Sequence, residues 1–342
     1  MADPYLQDDG ATLKNKFGII GNPQRLREAE AVLVALRESE LHERGFPQAQ
    51  GLELVKAIHR YLFQDVYDWA GVPRTTPLFK YNHAGLPGGT SFAPPQQIET
   101  ETHALFGRLA AQNNLKGLDA GQFAAALAQH FVDLNHIHAF REGNGRTQTL
   151  LWRKIALDAG HDLSFSPISR ERMVAVSIAG ENGNRDAVQR MMTELLDPIR
   201  YAALERATGF LERAFHNGSR VDWHDRYIAT TTPGQHYEGT LVGKSRGEFM
   251  LASQDRIYVG WARDLPQDGA QLKPGEPVSF EAGRDTPEMV SLMTRMDDAR
   301  ETLFGDKAAE RSPEAGRDRP MLPSQKEDTP RRADDRSPGM EP

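Results

Sequence analysis

The sequence contains no cysteine. Disulfides, thiolate nucleophiles and cysteine-ligated metal sites are therefore excluded, and a reducing compartment is expected. No apolar run approaches the ~20 residues needed to span a bilayer, so no membrane partner is expected. The first residues, MADPYLQDDG, are polar and acidic, unlike a signal peptide. Cytoplasm is the expected compartment, with secretion by a route that uses no N-terminal signal left open. Positive charge is not in excess either: 41 Lys and Arg stand against 48 Asp and Glu, a net charge of -7. That balance argues against a protein built as a whole to bind nucleic acid.

What is present is an ordinary globular composition, 39% hydrophobic and 26% charged. The helical period of 3.6 residues recurs through the first two thirds of the chain. Pro23 to about Glu40 places Ala29, Val32, Leu33 and Leu36 on one face. A second helix is predicted from Gln48 to Phe63, and others from Pro95 to Ala111, Gly117 to Asn135, Arg146 to Ala159, Arg170 to Gly180, Asp186 to Leu196 and Pro198 to Phe215. Between Thr75 and Pro95 two short extended runs flank a Gly/Pro cluster and predict a β-hairpin with a long connection. After His216–Arg220 the pattern changes to short strands: Tyr227–Thr231, Tyr237–Val242, Glu248–Leu251, Arg256–Val259 and Pro277–Phe280. These suggest a small β-barrel or sandwich, OB-like by preference. A short helix is expected near Pro287–Thr302. The tail from about Asp306 is too polar to offset its ordering entropy and reads as disordered. The expected fold class is mainly α with a small β-rich domain, divided into a lead-in (1–22), a helical domain (23–216), a β-rich domain (217–300) and a tail (301–342).

The chemistry concentrates in HIHAFREGNGR, His136 to Arg146. His138 follows a helix and offers an imidazole that works as a general base near neutral pH. Glu142 offers a hard oxygen of the kind Mg²⁺ takes. Gly143, Asn144 and Gly145 stand just before a helix, where converging amides and the helix N-terminus attract an anion. Arg146 can grip a phosphate oxygen, and Phe140 reads as the apolar anchor of the loop. A base, a metal ligand, an anion nest and a phosphate clamp together describe a site for transfer from a Mg-nucleotide.

HAFREGNGR resembles the Fic (Fic/Doc) signature HPFx(D/E)GNGRxxR. DWAGVPR, Asp68 to Arg74, is similar to a segment common in that family. The resemblance covers about residues 20–200 and implies a protein adenylyltransferase, a nucleotidyltransferase moving AMP from Mg-ATP to a Tyr, Ser or Thr hydroxyl of a target protein. It implies that His138 deprotonates the hydroxyl, Phe140 anchors the loop, Glu142 holds Mg²⁺, and Gly143, Asn144, Gly145 and Arg146 bind ATP phosphates. It also implies that the hairpin, with Phe79, Lys80, Thr90, Ser91 and Phe92, is a flap that docks the target by strand addition.

Two departures stand out. Ala139 replaces the usual proline. Thr149 replaces the last arginine of the motif, which in the family contacts the γ-phosphate and pairs with an inhibitory glutamate. Arg153 lies about 6 Å further along the helix, too far to be the expected substitute. Ser177–Asn182, SIAGEN, fits an inhibitory string (S/T)xxxE(G/N), but its position and the missing arginine argue against that role for Glu181. Control by a separate small antitoxin protein, or none, is expected. The alternative reading is an enzyme of altered donor or attenuated activity acting as a binding module. In the β-rich region Arg226, His236, Tyr237, Lys244, Arg246, Arg256 and Tyr258 mix basic and aromatic residues, read as a partner-docking or spacer module rather than a nucleic-acid face. Barrels of this kind follow Fic domains in bacterial type IV secretion effectors, which makes effector or toxin a further expectation.

Overall fold

A computed structural model describes residues 3–81, 88–217, 222–266, 269 and 271–284. The centre of the hairpin connection, the expected helix near Pro287–Thr302 and the tail lie outside the described residues, as do residues 218–221 at the expected boundary.

Eight α-helices occupy the described residues up to His216. Helix α1 spans Pro23–Arg44, its start fixed by the Asn22 side chain, which accepts from the Arg25 N–H. Helix α2 spans Gly51–Phe63, α3 Ile98–Ala111, α4 Ala120–Ile137 and α5 Asn144–Ala159. An Asp119/Gln122 capping box starts α4, and Gly160 with φ 89° ends α5. Helices α6 (Arg170–Glu181), α7 (Arg185–Leu196) and α8 (Pro198–His216) follow. The core of the helical part joins Ile58 and Phe63 of α2, Phe123, Leu127 and Phe131 of α4, and Leu151 and Trp152 of α5. Between α2 and α3 strands β1 (Phe79–Tyr81) and β2 (Gly89–Ser91) pair antiparallel, Lys80 opposite Thr90.

Strands β3 (Tyr227–Thr230), β4 (His236–Lys244), β5 (Glu248–Ser253), β6 (Arg256–Trp261) and β7 (Pro277–Glu281) form one sheet in the order β3-β6-β5-β4-β7. Only the β3–β6 pair is parallel. Tyr237 belongs to the small core of this sheet, the Arg256 guanidinium lies over the Tyr227 ring, and the Lys244 ammonium donates to the Gly269 carbonyl. The mixed basic and aromatic residues are thus partly spent inside the fold.

The sheet is fastened to the helices by buried charge. Arg172, from α6, meets Glu194 of α7 through two nitrogens at 3.0 and 3.1 Å and donates to the Ile228 carbonyl. Glu194 also accepts the Thr230 N–H, while Arg200 donates to the Thr230 hydroxyl and the Thr231 carbonyl.

One expectation is corrected. Val32 and Leu36 are 70% and 56% exposed, and α1 turns Leu26, Glu30, Val34 and Leu41 inward instead. A carboxylate has its partners inside, so apolar periodicity chose the wrong face. A second feature lay outside the expectations: the lead-in packs on the helical part, with Tyr5 buried edge-on against Trp69, its hydroxyl accepting the Thr75 N–H, and Asp3 paired with Arg141 at 2.9 Å.

Glu194→Ala strands the Arg172 charge in the interior. Loss of about 3–5 kcal/mol of stability is expected, read as a lowered denaturant midpoint.

Candidate active site

The segment from His138 to Gly143 runs between two helices and is bounded by two residues in left-handed conformation. His138 caps α4 with φ 43° and ψ 59°, and Gly143 precedes α5 with φ 84°. Glycine is required at 143: a Cβ there would lie 2.4 Å from the Phe63 ring and 3.1 Å from the His59 Nε2. The loop therefore rests directly on α2.

From beneath, His59 holds it. The ring is stacked on Phe140 at 3.7 Å and on Phe63 at 4.6 Å. Its Nδ1 accepts the Gly71 N–H at 2.8 Å, so Nε2 carries the proton and donates to the Glu142 carbonyl at 3.0 Å. Burial pushes its pKa down to about 3. Phe140 is 1% exposed and sits under the loop with its N–H and carbonyl both bonded to the Asn144 side chain, at 2.8 and 2.7 Å.

Arg74 holds the other end. Its guanidinium donates to four carbonyls: His138 at 2.8 Å, Thr76 at 2.9 Å, Ala93 at 2.5 Å and Ile137 at 3.3 Å. Its own N–H donates to the Ala139 carbonyl. One buried cation thus ties the base of the hairpin to the turn that carries His138.

His138 is buried, and its Nδ1 lies 3.1 Å from the Asn135 carbonyl. The carbonyl can only accept, so Nδ1 is protonated and Nε2 keeps the lone pair. Nε2 is buried without a hydrogen bond. Burial, and then the Lys80 ammonium, hold the imidazole well below its usual pKa. Phe92 stacks on this ring at 3.8 Å. Of the hairpin residues expected to dock a target, Phe92 covers the imidazole, Phe79, Lys80 and Ser91 are exposed and Thr90 is half-buried.

Helix α5 begins at Asn144, two residues earlier than the sequence suggested, so Asn144 and Gly145 belong to its first turn. The first amide with an acceptor inside the helix is Thr147, bonded to the Gly143 carbonyl. The amides of Asn144, Gly145 and Arg146 thereby face the helix N-terminus, where an anion is favoured. The Asn144 side chain is committed to Phe140, so only its backbone belongs to such a cradle. A Cβ at Gly145 would meet open space. Arg146 packs its guanidinium over Phe63 at 4.7 Å and reaches Glu30 at 2.5 Å and Glu142 at 3.8 Å. Glu30 also accepts the Tyr67 hydroxyl, whose pKa burial and then Glu30 push upward, so it stays a donor. Among the described residues no group of three or more His, Asp or Glu could hold an ion unaided. A metal at Glu142 would need oxygens from its ligand, which is how Mg²⁺ is held in phosphate sites.

Thr149 donates to the Arg146 carbonyl at 3.0 Å, inside its own helix. Glu181 is taken by Asn135 at 2.9 Å and His136 at 3.2 Å. Sequence reasoning missed His59, Arg74 and Glu30. His59 sits on the apolar stripe of α2, Arg74 ends DWAGVPR, and no local signal marks Glu30.

Both His59 and His138 are held neutral by the fold, while an unfolded chain protonates such rings near pH 6.5. Stability is therefore complete above that pH and falls below it, by about 1.4 kcal/mol per pH unit and ring. For His59 the loss continues to about pH 3. A His59→Gln variant is expected to flatten the stability slope between pH 6 and 4 by about one proton, measured by denaturation at each pH.

The profile of the Fic/DOC family matches residues 50–156. A protein adenylyltransferase of Bartonella henselae is 32% identical over 288 residues, 81% of this chain and 52% of that relative. The chain thus spans about half the length of that curated relative. The solved type IV secretion system effector protein BepA superposes with a TM-score of 0.73 at 31% identity, covering 82% of this chain and 97% of the solved one. BepC of Bartonella tribocorum, solved with bound AMPPNP, is 32% identical with a TM-score of 0.50 and covers 56% of this chain and 95% of that one. Identity above 30% across nearly the whole of such domains, together with a loop that carries the signature on a helix N-terminus, makes this chain a member of the Fic/DOC family.

Proposed function

We propose that the chain is a protein adenylyltransferase that moves AMP from Mg-ATP to a hydroxyl of a target protein. The observation that carries this is the buried Nε2 of His138, free to accept a proton one loop away from the N-terminus of α5. Nε2 takes the proton of the target hydroxyl as its oxygen bonds to the α-phosphorus, and the bond from that phosphorus to pyrophosphate breaks. The amides of Asn144, Gly145 and Arg146 and the Arg146 guanidinium bind the phosphates. Glu142 would hold Mg²⁺, which when bound neutralises phosphate charge. The protein adenylyltransferase name of the Bartonella henselae relative and the AMPPNP bound to BepC support this reading. The paired strands β1 and β2 present the hydroxyl-bearing segment to the loop by strand addition.

Thr149 brings no guanidinium to α5, and Glu181 is engaged elsewhere. Among the described residues the reading therefore has no inhibitory pair at these two positions, and it leaves regulation to a separate small antitoxin protein, or to none. The likeness to BepA supports delivery as a type IV effector. A full-length fusion to a translocation reporter is expected to enter recipient cells only when the secretion channel is intact, and entry without it defeats the delivery reading.

Purified chain is expected to label a protein band with ATP carrying its label at the α-phosphate, but not with label at the γ-phosphate. His138→Ala lowers the rate by about 10²–10⁴ with nucleotide binding retained. If only a Thr149→Arg variant labels protein and the parent never does, the activity assigned here fails.

A further inference from the structure

Glu30 is the residue of α1 that the helix has least reason to bury. It is 6% exposed, on a helix whose Val32 and Leu36 face solvent. A carboxylate withdrawn from water is costly unless charge and hydrogen bonds replace the lost hydration. Its described partners are the Tyr67 hydroxyl and the Arg146 Nη2, the latter at 2.5 Å. Arg146 belongs to the first turn of α5, and the Tyr67 ring stacks on Phe63, the ring that also lies under the Arg146 guanidinium.

The same Nη2 lies 3.8 Å from the Glu142 carboxylate. Two acids therefore compete for one guanidinium. Glu30 has the closer contact, and the Phe63 ring under the guanidinium fixes its plane. Were Glu30 uncharged, Arg146 and Glu142 would be each other's best partner, and a close pair between them would withdraw the phosphate clamp and the metal ligand together. With Glu30 in place, Arg146 is held from the buried side, its side chain still 35% exposed, and Glu142 keeps its oxygens available.

We propose that Glu30 is a positioning residue that anchors Arg146 from below and thereby keeps Glu142 free for the metal of the bound nucleotide. This rests on the Mg-nucleotide reading given above. Glu30 touches neither nucleotide nor metal. It acts through Arg146, and Tyr67 sets the direction of its carboxylate.

The test is equilibrium binding of ADP at graded Mg²⁺ to the full chain in a His138→Ala background, where no transfer occurs. Glu30→Gln is expected to weaken ADP binding about tenfold and to raise the Mg²⁺ concentration needed for half-maximal binding. In an Arg146→Ala background the same substitution is expected to change neither, because its effect passes through Arg146. Binding by Glu30→Gln within twofold of the parent, or an equal loss with and without Arg146, overturns the proposal while leaving the nucleotide reading intact. A parent chain that binds no ADP overturns both. Thermal melting reports whether Glu30→Gln is folded. If it is not, Glu30→Asp keeps the charge on a shorter stem and is expected to bind a few-fold more weakly, and parental affinity in that variant defeats the idea.

Discussion

The loop between α4 and α5 has no ladder of its own, and everything proposed for this chain depends on its shape. Buried hydrogen bonds to its carbonyls supply that shape. His59 takes the carbonyl of Glu142, Arg74 those of Ile137 and His138, and the Asn144 amide closes on both polar groups of Phe140. These bonds lie in a dry interior, where a missing partner costs more than the bond itself contributes. The ring stack of Phe140, His59 and Phe63 leaves room for no side chain at Gly143. Loop geometry is thereby set by the body of the helical core rather than by the residues of the loop alone.

A second buried system does similar work at the other end of the fold. Arg172, Glu194 and Arg200 join α6, α7 and α8 to β3 and to Thr231 just past its end. The sheet meets the helices through fixed charges and main-chain atoms, a contact with strict geometry and little tolerance for sliding. β3 is also the strand that pairs in parallel with β6, the exception in its sheet. Its direction is set by the helices it is bonded to as much as by its neighbour.

Much of this was legible in the sequence. Helix positions followed from 3.6-residue periodicity, with ends displaced by a few residues. The five short strands read out from their turns, and His138, Glu142 and the glycines from their joint spacing. The hidden parts share a cause. Glu30 is charged yet points inward, so a rule that seeks apolar faces turned α1 the wrong way. His59 lies on an apolar stripe and looks like a core residue, and its two hydrogen bonds are to backbone atoms distant in sequence. Arg74 serves carbonyls, which every residue has, so no partner residue type marks it. Asp3 and Tyr5 sit in a polar stretch whose contacts, Arg141 and Trp69, become visible only once the chain has folded.

Arg74 has a further consequence. Carbonyl dipoles satisfy the donors of its guanidinium, but they do not cancel its charge. The described contacts pair it with no carboxylate, and burial alone holds its pKa below the usual arginine value. A full positive charge thus remains beneath the turn that carries His138, in a medium that screens poorly. Together with the amides at the start of α5, it adds a positive contribution beside the Glu142 carboxylate. A contribution of that sign favours the approach of a polyanion before any direct contact is made.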